Sequence, residues 1–142
     1  MIYTNLTKKA MQICFEKHKN QTDKCGIPYP FHPFHVAENM VDEETTITAL
    51  LHDVVEDTDT SFEELTKYGF SNDVIEALKL LTHSENVPYL EYIRDIKQNP
   101  IAKAVKIADL NHNSDLSRLD TITQKDIERV EKYRTALEIL NT

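Results

Sequence analysis

Apolar residues recur at helical spacing along almost the whole chain. From Thr4 to about Lys19, the residues Leu6, Ala10, Ile13, Cys14 and Lys17 fall on one face. Asn20 to Tyr29 is polar, holds Gly26 and Pro28, and reads as a loop. Pro33 suits the first turn of a second helix, with Phe34, Ala37 and Met40 facing inward. A third helix starts at Asp42 or Glu43, presents Ile47, Leu50, Leu51 and Val54, and ends over Asp57–Thr60. Ser61 with Glu64 reads as a capping box for a short helix that stops at Gly69. Asn72 can cap the next helix, whose stripe is Ile75, Leu78 and Leu81 or Thr82. His83–Val87 is a loop, and Pro88 opens a helix bearing Tyr89, Tyr92, Ile93 and Ile96. Asn99-Pro100 breaks it. Ile101, Ala104, Val105 and Ala108 then form a buried face that ends at Asp109. Thr123 and Asp126 start the last helix, with Ile127, Val130, Arg134, Leu137 and Ile139 or Leu140 as its stripe. The pattern predicts an all-α chain of about seven or eight short helices, with no strand, internal repeat or interdomain linker. One domain over residues 1–142 is the expected organisation.

Composition narrows the function without changing this picture. Only two glycines and five prolines favour helices over a turn-rich β fold. A net charge of −8 argues against a nucleic-acid or anionic-membrane surface, which would repel such a field. A small phosphorylated substrate stays open, because a bound divalent metal inverts the field locally. Cys14 and Cys25 lack zinc-type spacing and read as two reduced thiols of a cytoplasmic protein. No apolar run approaches transmembrane length, and MIYTNLTKKAMQ is not a signal peptide.

The stretch ALLHDVVEDTDT, Ala49–Thr60, concentrates the candidate chemistry. On a continuous helix Asp53 and Glu56 meet at i,i+3, while His52/Glu56 and Asp53/Asp57 meet at i,i+4. Three carboxylates and an imidazole within six residues are costly unless a cation or water neutralises them. A metal-bearing helix end and a solvated acidic terminus both satisfy that demand. Among the other histidines, His32 stands just before Pro33 at a helix entrance, with His35 one turn on as a competing ligand. His18 and His112 lie in polar sequence surroundings, and His83 reads as a loop residue. Asp109 ends an apolar stretch and needs either a salt bridge, to Lys103, Lys106 or Arg118, or a cation. His32, His52, Asp53 and Asp109 together make an N₂O₂ set, suited to Mn²⁺, Fe²⁺, Zn²⁺ or Ni²⁺ over Ca²⁺. Spacing alone does not show that they converge.

The order H32…H52-D53…D109 resembles the signature of the HD-domain metal-dependent phosphohydrolases. HKNQTDKCGIPYPFHP, LLHDVVEDTDTSFEEL and VKIADLNHNSDLSRL are similar to the hydrolase domain of the RelA/SpoT family and its small stand-alone relatives. The similarity runs from about His18 to Leu119 and leaves no room for that family's separate synthetase domain. It implies an all-α HD bundle that removes the 3′-pyrophosphate of (p)ppGpp with a divalent metal, usually Mn²⁺, held by His32, His52, Asp53 and Asp109. It implies that Glu56 and Asp57 handle the attacking water, and that Lys24, Tyr29 and Asn113 line a nucleotide pocket. Lys106 would offset phosphate charge, and Arg118 would compensate for basic residues lost elsewhere.

Three positions depart from the family. Asp23, Leu110 and Asp115 stand where basic residues are usual. Losing arginines that grip phosphate and stack on guanine points to an alternative, an HD phosphohydrolase for another phosphorylated nucleotide. A further alternative is a non-catalytic nucleotide-binding module, against which the complete ligand set and Glu56 count. The segment NSDLSRL also reads as a capped, salt-bridged turn.

Overall fold

A computed structural model describes all of residues 1–142. Nine α-helical segments follow in order: α1 Asn5–His18, α2 Phe31–Glu38, α3 Glu43–Leu51, α4 Val54–Asp57, α5 Phe62–Lys67, α6 Asn72–Leu81, α7 Tyr89–Lys97, α8 Pro100–Asn113 and α9 Gln124–Asn141. A 3₁₀ turn spans Leu116–Arg118, and the only β pairing is an isolated bridge between Thr22 and Pro28. The all-helical reading therefore holds. The count exceeds seven or eight because the third expected helix is broken at His52–Asp53 into α3 and a single turn, α4.

Helix α3 is the centre of the bundle. It packs against α1, α2, α6 and α8, and every residue from Thr45 to Leu51 is buried. A helix enclosed this way must satisfy its polar groups internally. Thr46 and Thr48 do so by donating to the carbonyls of Asp42 and Glu44, at 2.6 and 2.8 Å. Asp42 caps the helix by accepting from the Thr45 amide at 2.8 Å. Leu50, Leu51 and Ala49 then fill the core with Val36, Leu78, Ile93 and Val105. Helix α9 closes one side against α7 and α8.

Several local expectations shift by a residue or a phase. Ser71, not Asn72, caps α6, accepting from the Val74 amide at 3.3 Å. Ser61 caps α5 through the Glu64 amide, without the reciprocal half of a capping box. On α8 the buried positions are Ala102, Val105, Asp109 and Leu110, whereas Ile101, Ala104 and Ala108 are half-buried. On α9, Ile127 and Arg134 face solvent and Ala136 and Leu140 are buried. The phase is hard to read there because polar and amphipathic residues take inward positions, Asp126 buried and Arg129 and Tyr133 half-buried. The loop Asn20–Tyr29 folds on itself, with Tyr29 donating to Gln21 O at 2.8 Å and Gly26 turning at φ 77°. No helix is long and apolar enough to cross a membrane.

Candidate metal centre

The break between α3 and α4 sets the geometry of the site. Neighbouring side chains on a continuous α-helix point about 100° apart, so His52 and Asp53 could not share a target. Asp53 instead adopts φ −104°, ψ 0°, outside regular helix. His52 Nε2 and Asp53 Oδ2 come to 3.1 Å. The expected uninterrupted helical face through His52, Asp53, Glu56 and Asp57 is thus corrected.

His32 arrives from the first turn of α2 and Asp109 from the last turns of α8. His32 Nε2 lies 2.8 Å from Asp109 Oδ1 and 3.9 Å from Asp53 Oδ2, and His52 Nε2 lies 3.4 Å from Asp109 Oδ1. His32, His52 and Asp109 bring one ligand atom each within 4.8 Å of one another, and Asp53 stands beside this group through its contacts with the two histidines. Metal bonds of about 2.0–2.2 Å place neighbouring ligand atoms roughly 3 Å apart, which these separations match.

The donor chemistry fits a divalent cation. His52 donates from Nδ1 to Ala49 O at 2.6 Å, which turns Nε2 toward the carboxylates. That buried Nε2 has no hydrogen-bond partner. Burial opposes charge on His52, but Asp53 and Asp109 outweigh it and hold its pKa well above the ordinary range. A cation would replace that proton. Burial likewise works against the Asp109 carboxylate, and Lys106 with the two histidines holds it well below its ordinary range.

The surrounding residues brace this group. Lys106 pairs with Asp109 Oδ2 at 3.0 Å, and Asn113 donates to Asp109 Oδ1 at 3.0 Å. Lys106 is thus the basic partner among the three the sequence offered. The Tyr29 hydroxyl donates to Asp53 Oδ2 at 2.5 Å. His112, three residues past Asp109, places Nδ1 2.7 Å from His32 Nδ1. Burial and the neighbouring His32 push His112 down to about 4, so its neutral ring accepts that bond and orients His32. Its i,i+3 relation to Asp109 was the sequence signal for this role. His35 stacks on His112 at 4.1 Å and stays outside the group. His18 is fully buried, bonded to Gln21 at 2.7 Å, which corrects its placement in polar surroundings. His112→Ala is expected to weaken metal binding about 10–100-fold, read by titration of the metal-free protein.

Glu56 and Asp57 sit at the exposed edge. Glu56 Oε1 accepts the His83 amide at 2.8 Å, giving the loop histidine a structural part. Burial, then Asp53 and Glu56, push Asp57 up to about 6. Gln21 supports that turn by donating to Asp57 O at 3.0 Å.

Two clefts meet at the cluster. The larger, about 280 Å³, is lined by Lys24, Tyr29, His32, Asn113 and Arg118, and by Arg129 and Tyr133, which sequence reasoning passed over. The other, about 190 Å³, holds Glu56, Lys106 and Asp109. Asn113 and Tyr133 belong to both. Arg118 does reach the cleft, but it is engaged: Nη1 lies 3.1 Å from Asp23 Oδ2 and Nη2 donates to His112 O. Asp23 also accepts the amides of Cys25 and Ile27 and so closes its loop. Leu110 is buried, and Asp115 caps the 3₁₀ turn through the Ser117 amide at 3.0 Å. NSDLSRL forms a capped turn, salt-bridged through Arg118 to Asp23. Burial pushes the Cys14 thiol up to about 12, which removes it as a nucleophile.

Known proteins share this plan. A family model for the HD domain matches residues 10–130. The guanosine-3′,5′-bis(diphosphate) 3′-pyrophosphohydrolase MESH1 of Danio rerio is 36% identical over 92% of this chain and 79% of its own length. An Aquifex aeolicus protein of the same enzymatic name is 40% identical over 58% of this chain, a match spanning 12% of that protein. The solved structure of a metazoan SpoT orthologue that hydrolyses ppGpp superposes with a TM-score of 0.77 at 28% identity, covering 99% of this chain and 88% of that one. With the match extending from α1 into α9 and the H…HD…D side chains gathered at one point, the chain belongs to the HD-domain family.

Proposed function

We propose that this chain removes the 3′-pyrophosphate of guanosine 3′,5′-bis(diphosphate), or of a closely related nucleotide, by metal-dependent hydrolysis. The observation that carries this reading is the convergence of His32, His52, Asp53 and Asp109 where two clefts meet, in a chain similar along most of its length to proteins named for that reaction. Residues 1–142 act in it as one cytoplasmic domain. The four side chains hold a divalent metal, Mn²⁺ in the first instance. A divalent metal there supplies Lewis-acid activation of water and of the phosphoryl oxygen.

The chain's own groups do the rest. Glu56 is oriented by the His83 amide through Oε1, which leaves Oε2 to take the proton of the attacking water. Asp57, the next residue of the same turn, holds that water. The water oxygen bonds to phosphorus, the bond from phosphorus to the ribose 3′-oxygen breaks, and the 3′-oxygen takes up a proton. Lys24, Tyr29, Asn113 and Arg118 line the larger cleft and hold the nucleoside side. Lys106 offsets phosphate charge from the smaller one.

One observation favours a second substrate within the same chemistry. Asp23 occupies Arg118, so the larger cleft offers less free positive charge than two unpaired arginines would. The test is release of pyrophosphate from a panel of 3′-phosphorylated and other nucleotides, with and without added Mn²⁺. Metal-dependent turnover of ppGpp supports the first substrate. Turnover of another nucleotide with ppGpp untouched supports the second. Tight binding without turnover across Mn²⁺, Co²⁺, Ni²⁺ and Zn²⁺ overturns the hydrolase reading.

A further inference from the structure

Glu56 and Asp57 ride on the shortest helical segment of the fold. Helix α4 is a single turn of four residues that follows the break at His52–Asp53, and no side chain caps its N-terminus. Such a turn fixes several dihedrals for one backbone bond, here from the Asp57 amide to Asp53 O at 2.9 Å, and needs outside support. It packs against α1, which ends at His18, with Gln21 three residues beyond. Gln21 donates from Nε2 to Asp57 O at 3.0 Å, and its Oε1 faces His18 Nδ1 at 2.7 Å. The Asp57 carbonyl only accepts, so the amide nitrogen must be the end that faces it. Oε1 is then the acceptor for His18, and the buried imidazole carries its hydrogen on Nδ1. Burial holds this ring below its ordinary pKa. Its Nε2 is buried without a partner, so the bond to Gln21 is the one that orients it. The Gln21 main chain is engaged as well. Its amide donates to His18 O at 2.9 Å, and its carbonyl accepts the Tyr29 amide at 2.8 Å.

We propose that Gln21 is a positioning residue of the reaction, holding the Glu56–Asp57 turn in register with the metal ligands while His18 fixes the orientation of its amide. Gln21 lines neither cleft at the cluster, so it acts through the turn and not on the nucleotide. The proposal rests on the hydrolase reading and adds to it the group that sets the approach of the water. Gln21 links both halves of the site. Its main chain anchors the loop of Lys24 and Tyr29, and its side chain anchors the turn of Glu56 and Asp57. The two roles separate by mutation, because Gln21→Ala keeps the main-chain bonds. Lys17 is another tether from α1, reaching Asp59 at 3.5 Å, but Asp59 is exposed and such a surface pair contributes little.

The experiment measures steady-state nucleotide turnover and hydrogen exchange of the Asp57 amide in the same metal-loaded proteins. Gln21→Ala removes both side-chain bonds. Gln21→Glu keeps an acceptor for His18 and loses the donor to Asp57 O. A misplacement on the order of 1 Å at a reacting group costs up to about 10²-fold, so kcat should fall roughly 10–10²-fold in both, with KM and metal content near wild type. Exchange of the Asp57 amide should quicken about tenfold, the effect of one lost hydrogen bond. His18→Leu should lower kcat in the same way, and His18→Asn, whose amide nitrogen can stand where Nδ1 stands, should restore most of it. Lys17→Ala should change neither readout. A Gln21 that merely stabilises the fold would lose metal and raise KM in step with any fall in kcat, and that result overturns the proposal. So does a wild-type kcat in Gln21→Ala or Gln21→Glu, unaltered Asp57 exchange, or an equal effect of Lys17→Ala. If no nucleotide turns over, the hydrolase reading fails, and exchange alone decides whether Gln21 holds the turn.

Discussion

Asp53→Ala is expected to abolish metal-dependent turnover while leaving the helical fold in place. Asp53 Oδ2 is one of the four atoms that converge, and it also receives the Tyr29 hydroxyl. Removing it leaves two histidines and one carboxylate, and releases Tyr29 from the cluster. Metal activation contributes several kcal/mol to such reactions, so the rate should fall roughly 10³-fold or more. Two measurements separate this outcome from unfolding. Circular dichroism should be unchanged, because the Asp53 side chain lies at a helix break and makes no helix-capping bond. Metal content after gel filtration should drop below that of wild type. Chelation should bring the wild-type rate to the same floor, and adding metal back should restore wild type alone. Full metal content with full activity in Asp53→Ala would remove this residue from the ligand set.

Glu56→Gln is expected to lose almost as much rate by a different route. Glu56 stands outside the four converging groups, and its Oε1 is held by the His83 amide, a bond that glutamine can keep. Metal content and the apparent KM should therefore stay near wild type. The loss should fall on kcat, by about 10²–10⁴-fold, as general-base removal ordinarily does. A rate within a few-fold of wild type would assign the proton to another group, with Asp57 the adjacent candidate. Asp53→Ala and Glu56→Gln thus divide the site into a part that binds and a part that handles the water.

The helices were legible because their burial has a period, and their ends because caps are local. Thr4, Asp42, Asn99 and Thr123 each accept an amide within the first turn, a contact set by neighbours in sequence. Errors gathered where tertiary context governs. Ile127 has the right spacing for a buried stripe yet faces solvent, because α9 packs with Tyr133, Ala136 and Leu140 turned inward. His18 looked polar by its neighbours, yet the Gln21 bond and the Tyr29 ring, 4.9 Å away, make it a core residue.

By itself, the sequence determined the helical class, the inventory of donors and the likeness to HD phosphohydrolases, since residue type and spacing carry all three. It left two facts open that only the tertiary structure decided. One is that α3 breaks at His52–Asp53, which periodicity conceals because Val54 continues the apolar pattern across the break. The other is where the charges at the departing positions go. Asp23 binds Arg118 from 95 residues away, and Lys106 turns inward to Asp109. Such pairings depend on which helix ends the packed core brings together, and a linear pattern of hydrophobic and polar residues does not encode that distance.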